Sequence, residues 1–412
     1  MTSMIRIILS PPNCRRSCWR QLVLAFLIMG VTTTIVAKEQ YSRKVQRLLY
    51  NAQKAQQEEK PDEAIGLLES YLNKKPENPP VIVYSFLGSL YHQTEKLEKA
   101  HWAFTKGFAL KPDDFLLCRN LAIISYQLKQ IKKAAAYFEK AYELNNRQQH
   151  EILYQAATLY YFEKQYKDTI RLAKRHIESH PSVKRRWIKL IVHSYLESKN
   201  KKKAESTILA YLKRYPGDAA FWQILAGIQL EKEDYLRGAA SLEIYLRLAE
   251  PKERDWVELG DIYMFLNAPL KAAFCYQKSQ SNSVELYKKR AAAYTALHRY
   301  DMASKMYSDA LLLQPDADLF QDKGRLFYDN GQYHKSIKSL SKSLELKPEQ
   351  EKVYLMLGNA ALEVDDWKTA KKAFVAVSNK KYATSQAVAG LKIIETLQTA
   401  KDEAEQSALD LN

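Results

Sequence analysis

A pattern of small and aromatic residues recurs every 34 or 35 positions along most of this 412-residue chain. A chain built this way folds as a stack of like units. The clearest unit starts at Val81 and carries Tyr84, Leu87, Gly88, Tyr91, Ala100, Phe104, Gly107 and Pro112. A step of 34 gives Leu121, Ala122, Ala134, Phe138 and Ala141. Steps of 35 give Ala157, Tyr160, Thr169, Ala173 and Pro181, then Val192, Tyr195, Ala204, Ile208 and Pro216. Later copies hold Trp222, Ala226 and Gly238; Trp256, Gly260 and Ala272; Ala291, Ala303 and Pro315; Gly324, Ser336 and Pro348; and Tyr354, Gly358, Ala370 and Phe374. A weaker first copy holds Ala52, Ala64, Leu68, Tyr71 and Pro76, which makes ten in register.

Small residues such as Gly88 and Ala100 let two antiparallel helices approach, and Phe104, Phe138 and Phe374 are placed to fill the space between neighbouring hairpins. Prolines at 76, 112, 181, 216, 315 and 348 end one hairpin before the next. No hairpin can bury its apolar face alone, so stability comes from neighbour interfaces and the array needs a cap. The expected fold is an all-α superhelical solenoid of about ten antiparallel helix pairs over 45–379. A capping helix over 380–399 follows, with Ala387, Leu391, Ile394 and Leu397 on one face, and then a frayed acidic tail over 400–412. Only 12 Gly and 13 Pro are present, which suits helices joined by short turns.

The spacing of Tyr84, Leu87, Gly88, Tyr91, Ala100, Phe104, Gly107 and Pro112 resembles the tetratricopeptide repeat family, and the resemblance covers Val45 to Asn379. It implies a scaffold that binds a protein partner in a concave groove lined by the first helix of each hairpin. The groove positions implied here are Arg119 and Tyr126, Tyr154 and Tyr161, and Arg186, Lys189 and His193. Rings beside basic groups suit an extended peptide or helix bearing carboxylates. Some family members hold a C-terminal carboxylate with Lys and Asn, where this chain has Ser85 and Ser89, or Arg119 and Ile123. That departure argues against a cytosolic chaperone-tail adaptor.

Near the start, Arg15, Arg16 and Arg20 precede the apolar run Leu22 to Ala37. This is the charge and hydropathy pattern of an export signal. Two readings stay open: cleavage after Ala37, or an uncleaved anchor, since the run approaches the roughly 17 residues that span a bilayer. Residues 38–44 then form a linker, and the repeats are periplasmic or held at the inner membrane facing the periplasm. Cys14 and Cys18 fall within the signal and carry no metal or lipid motif. Cys118 and Cys275 lie more than four repeats apart, beyond the roughly 7 Å that a disulfide tolerates between Cα atoms, so two unpaired thiols are expected.

The formal charge of +16 is uneven: Lys164 to Arg214 holds fifteen Lys or Arg against four Asp or Glu. Within it, Lys199, Lys201, Lys202 and Lys203 lie on a turn between helices, where they suit anionic head groups or polysaccharide. Nucleic acid fits an exported chain poorly. No Gly-x-x-x-x-Gly-Lys, Gly-x-Gly-x-x-Gly, Gly-x-Ser-x-Gly or His-Glu-x-x-His occurs, so no catalytic residue, cofactor or metal is expected. His176 and His180 are an i, i+4 pair, but Pro181 ends the helix, so both read as helix-end histidines facing the negative end of the dipole.

Two functions follow. One is an exported adaptor serving an envelope machine; the run from Phe221 to Ala226, the run from Trp256 to Tyr263 and a shortened repeat near Asn282 resemble the repeat proteins that accompany TonB energy-transduction systems. The other is an assembly factor for envelope polysaccharide, lipopolysaccharide or pili that meets an anionic polymer or membrane through the basic segment. Neither reading sets an oligomeric state.

Overall fold

The computed structural model describes residues 41–74, 76–180, 185–378 and 385–409, and every regular element among them is an α-helix. The chain divides into two compact units, one ending at Gly217 and the other beginning at Asp218. The proposed signal, residues 1–37, lies outside the described residues. Among those described, no helix is long and apolar enough to cross a membrane.

The first unit holds five helical hairpins: α1 (Arg43–Gln57) with α2 (Pro61–Asn73), α3 (Val81–Gln93) with α4 (Leu97–Leu110), α5 (Phe115–Gln127) with α6 (Ile131–Leu144), α7 (His150–Phe162) with α8 (Tyr166–Ser179), and α9 (Arg185–Glu197) with α10 (Lys201–Arg214). The second unit holds five more: α11 (Ala219–Glu231) with α12 (Tyr235–Leu248), α13 (Glu253–Phe265) with α14 (Pro269–Lys278), α15 (Val284–Ala296) with α16 (Tyr300–Leu313), α17 (Ala317–Asp329) with α18 (Tyr333–Leu346), and α19 (Glu351–Leu362) with α20 (Trp367–Ser378). A single long helix, α21 (Ser385–Leu409), follows. In each unit consecutive helices pack in sequence order, as in an all-α solenoid.

Small residues explain the close pairing. The repeat position occupied by Ala64, Ala100, Ala134, Thr169, Ala204, Gly238, Ala272, Ala303, Ser336 and Ala370 is buried in all ten hairpins. At Gly88 a Cβ would stand 2.7 Å from the Phe104 ring, so the glycine makes room for an aromatic side chain of its own hairpin. This corrects the expectation that Phe104 fills only the gap between hairpins. Phe374 does both, lying between Gly358 of its own hairpin and Gly390 of α21.

Each hairpin turn is closed by one residue in the left-handed region: Glu59, Glu95, Lys129, Lys164 and Lys199, then Glu233, Asn267, His298, Gly331 and Asp365. The following N–H reaches back into the first helix, as from Lys96 to the Tyr91 carbonyl and from Gln130 to that of Ser125, both at 2.8 Å. That is the Schellman closure, which satisfies carbonyls the helix end leaves open. Nine of these ten residues are not glycine, so a sequence search for glycine turns misses them.

Tyrosines also carry links between repeats. Tyr91 donates its hydroxyl to Glu69, Tyr160 to Glu139 at 3.3 Å, and Tyr263 to Glu243 at 2.6 Å, each acceptor lying in the preceding hairpin. Burial, then the neighbouring carboxylate, pushes the phenol of Tyr160 up to about 12. Cys118 and Cys275 are free buried thiols, one in each unit, and burial raises them to about 11 and about 12.

In α21, Ala387 and Ile394 are buried against Phe374 and Leu391 packs beside them, but Leu397 is 41% exposed and lies outside that seal. The helix continues to Leu409, past the boundary expected at 399. Residues 400–409 contain neither Gly nor Pro and are rich in Ala and Glu, which favour continuation.

Candidate functional site

All seven implied groove residues fall on first helices of the first unit: Arg119 and Tyr126 on α5, Tyr154 and Tyr161 on α7, and Arg186, Lys189 and His193 on α9. Each is partly buried, neither sealed in the core nor fully in solvent.

Some of them are brought together. The Arg186 guanidinium lies 4.4 Å from the centre of the Tyr154 ring and pairs with Glu151 at 2.8 Å, so one side chain ties α9 to two positions of α7. Tyr154 in turn meets the buried Trp187 edge to face at 5.0 Å. One helical turn from Lys189, His193 is held well below its ordinary value, at about 4, by burial first and by the Lys189 charge second. It is therefore neutral at neutral pH. Tyr161 sits with Phe162 and Tyr166 at the far end of α7, where burial first, then Glu197, pushes its phenol up to about 12.

Arg119 and Tyr126 stand two turns apart on α5. Burial lowers the Arg119 guanidinium from its usual range, and the group lies 5.8 Å from the centre of the Phe115 ring. Its Nε and the Nε2 of His193 are buried nitrogens with no hydrogen-bond partner among the described residues. Such atoms cost about 1–3 kcal/mol each unless something else supplies an acceptor or donor. The surface thus combines an aromatic patch with cations.

The lysine cluster differs in placement from the sequence expectation. Only Lys199 lies in the turn, at φ 60°, while Lys201, Lys202 and Lys203 form the first turn of α10. The reason is Asn200, whose side chain accepts the Lys203 N–H at 3.1 Å and caps the helix. Three cations then sit at the positive end of a helix with no acid in its first turn. The dipole disfavours that arrangement, and an anion there relieves it.

The histidine expectation also changes. His180 caps α8, but His176 is only 2% exposed, and the two rings stack at 4.9 Å. His150, the first residue of α7, joins them. Linear spacing gave no sign of this, because His150 lies 26 residues before His176 and meets it only through the antiparallel hairpin. In the second unit a shallow depression between α15 and α17 is lined by Lys288, Tyr307, Asp322 and Arg325, and burial raises the Asp322 carboxyl. None of these four is among the site residues that the sequence implied.

The family model of the tetratricopeptide repeat matches residues 117–148 and 317–350, which are the α5–α6 and α17–α18 hairpins. No curated protein matches. Among solved structures, the Naa15/Naa10 complex bound to HypK-THB is 14% identical, with 83% of this chain and 65% of that one covered and a TM-score of 0.49. The chain therefore spans under two thirds of that structure's length. A tetratricopeptide repeat protein from Parabacteroides merdae is 17% identical over 61% of this chain and 99% of that one, with a TM-score of 0.33. MamA is 21% identical over 37% and 94%, with a TM-score of 0.32.

Proposed function

We propose that the chain, two of whose hairpins match the tetratricopeptide repeat, is a non-catalytic, exported adaptor for protein–protein interaction. Its partner is an extended, carboxylate-bearing peptide or helix of a cell-envelope machine, held along α5, α7 and α9. The observation that carries this reading is the pairing of ring and cation at Tyr154 and Arg186, with Lys189 on the same helix. A peptide carboxylate pairs with the Arg186 and Lys189 head groups, and an apolar side chain covers the Tyr154 ring. A TonB-type transport system is the machine we favour, on the resemblance of the runs from Phe221 and Trp256.

Photocrosslinking in the native envelope from position 154 or 189, with identification of the captured protein, tests this. A discrete envelope protein is expected, and its capture from position 154 should fall at least tenfold in the R186E/K189E variant. Unchanged capture by that variant sinks the groove reading.

The first turn of α10 favours a second reading, contact with an anionic membrane, polysaccharide or lipopolysaccharide through Lys199, Lys201, Lys202 and Lys203. Salt separates the two. Polyanion binding weakens steeply as ionic strength rises, whereas a peptide held by an apolar anchor stays bound.

A further inference from the structure

We infer that His150, His176 and His180 form a binding site for a single transition-metal ion of the zinc, copper or nickel type. Three of the chain's eight histidines meet at this one junction. One ligand nitrogen from each lies within 4.8 Å of the others. Ring centres are 3.9 Å apart for His150 and His180, and 4.9 Å apart for each of the other two pairs. Zinc–imidazole bonds of about 2.0–2.1 Å place two ligand nitrogens of a tetrahedron about 3.3 Å apart. Rotations of the partly exposed His150 and His180 side chains that move their nitrogens by about 1–1.5 Å close the set around an ion while His176 stays in place.

The repeat itself does not ask for these residues. A shift of 35 puts Phe115 and Arg185 at the place of His150, Ala141 and Tyr211 at that of His176, and Asn145 and Tyr215 at that of His180. Packing and helix ending are thus met elsewhere without histidine. Only this hairpin has all three.

The surroundings orient the rings as ligands. His180 Nδ1 lies 3.2 Å from the His176 carbonyl oxygen, and a proton donated there leaves the lone pair on Nε2. His150 Nδ1 lies 3.4 Å from the Tyr142 hydroxyl, which fixes that ring from outside the cluster. His176 stacks on Trp187 at 4.4 Å, so its ring cannot turn freely. Outer contacts of this kind hold imidazoles in register for a metal.

The donor set selects the ion. Three imidazoles and no carboxylate suit zinc, copper and nickel and exclude calcium and magnesium, which need oxygen. The nearby Arg147 and Arg175 are each paired with Glu143, which blunts their repulsion of a cation. A bound ion joins the start of α7 to the end of α8. Through Trp187 it also abuts Tyr154, and so the surface on which the partner is proposed to lie. The metal site does not depend on that reading.

The test uses full-length, tag-free protein stripped with chelator and titrated at neutral pH. Zinc should bind with one tight equivalent, at micromolar affinity or better, and raise Tm. Cobalt(II) should develop visible d–d absorption that zinc abolishes. His150 and His180 are partly exposed, so H150Q and H180Q should keep the helical signal and metal-free Tm of the parent while losing at least tenfold in affinity. H298Q, remote in sequence, should bind as the parent does. Absence of a stoichiometric zinc equivalent in the parent overturns the proposal. So does an equivalent retained in the H150Q/H180Q double variant, since that ion would sit elsewhere.

Discussion

The Arg186 guanidinium lies 4.4 Å from the centre of the Tyr154 ring while the same side chain reaches Glu151 at 2.8 Å, so one residue of α9 grips α7 by two different forces. The ion pair is more than a third exposed on both sides and is screened by salt. The ring contact is less so. A double-mutant cycle of Arg186→Met with Tyr154→Leu should give a coupling of about 0.5–1 kcal/mol in urea unfolding. That coupling should persist in high salt, whereas the coupling of Arg186 with Glu151 should fade to a few tenths of a kcal/mol or less. A zero Arg186–Tyr154 coupling would show that the ring is only a neighbour.

His193 makes the acid limb of stability measurable. Burial and Lys189 hold it at about 4 in the folded chain, against an ordinary value of 6.5. As pH falls below about 6.5 the unfolded chain takes up a proton that the folded chain refuses until about pH 4, so stability declines through that window and then levels off. The full shift corresponds to up to about 3 kcal/mol. His193→Gln should flatten this limb, seen as urea midpoints that change less between neutral pH and about pH 4. Parallel curves for parent and variant would remove His193 as the cause.

The hairpin array was legible because its signal is periodic and redundant. A small residue at the place of Ala100 recurs ten times and a ring at the place of Phe104 five times, and any single failure, such as Val192 in place of Gly88, is outvoted. Contacts between repeats were not legible. Tyr91 looked like plain core, yet its hydroxyl serves Glu69, and nothing in a linear spacing of 22 residues marks that pair. His150 joined His176 for the same reason, through the fold and not through a motif. The lysines at 201–203 were read as turn because charge suggests solvent, whereas the nearby Asn200 cap decides where the helix starts. The groove residues lie on first helices of the first unit, as the repeat spacing places them, but the Arg186–Tyr154 contact needed both hairpins in place.

Turn conformation yields a cleaner stability test than any core change. Gly331 sits at φ +68° with nothing within 4 Å of where a Cβ would be, so a methyl there meets no obstacle and adds only backbone strain. Gly331→Ala should cost about 1 kcal/mol. The nine other closures hold side-chain-bearing residues at φ between 54° and 61°. Glu95→Gly should therefore gain a few tenths to about 1 kcal/mol, the relief of strain exceeding the added freedom of the unfolded chain. Thermal and urea melts of both variants check the opposite signs; a destabilised Glu95→Gly would mean that the Glu95 side chain contributes a contact of its own.

Phe374 has no exposed surface, and its ring is bounded by glycine on two edges. A Cβ at Gly358 would come within 2.5 Å of Cε1, and one at Gly390 within 2.5 Å of Cε2. The ring cannot retreat from one without striking the other. Gly358→Ala should therefore cost about 1–3 kcal/mol through overpacking. Gly390 belongs to α21, so Gly390→Ala should act on the seal at the end of the array, loosening Ala387 and Ile394 from Phe374. Hydrogen exchange across 385–397 should then rise before the rest of the second unit responds. In a Phe374→Leu background the added methyl at 358 meets a shorter, more adaptable side chain, and its cost should drop below about 1 kcal/mol. An equal cost in both backgrounds would place the obstacle in the helix backbones and not in the ring.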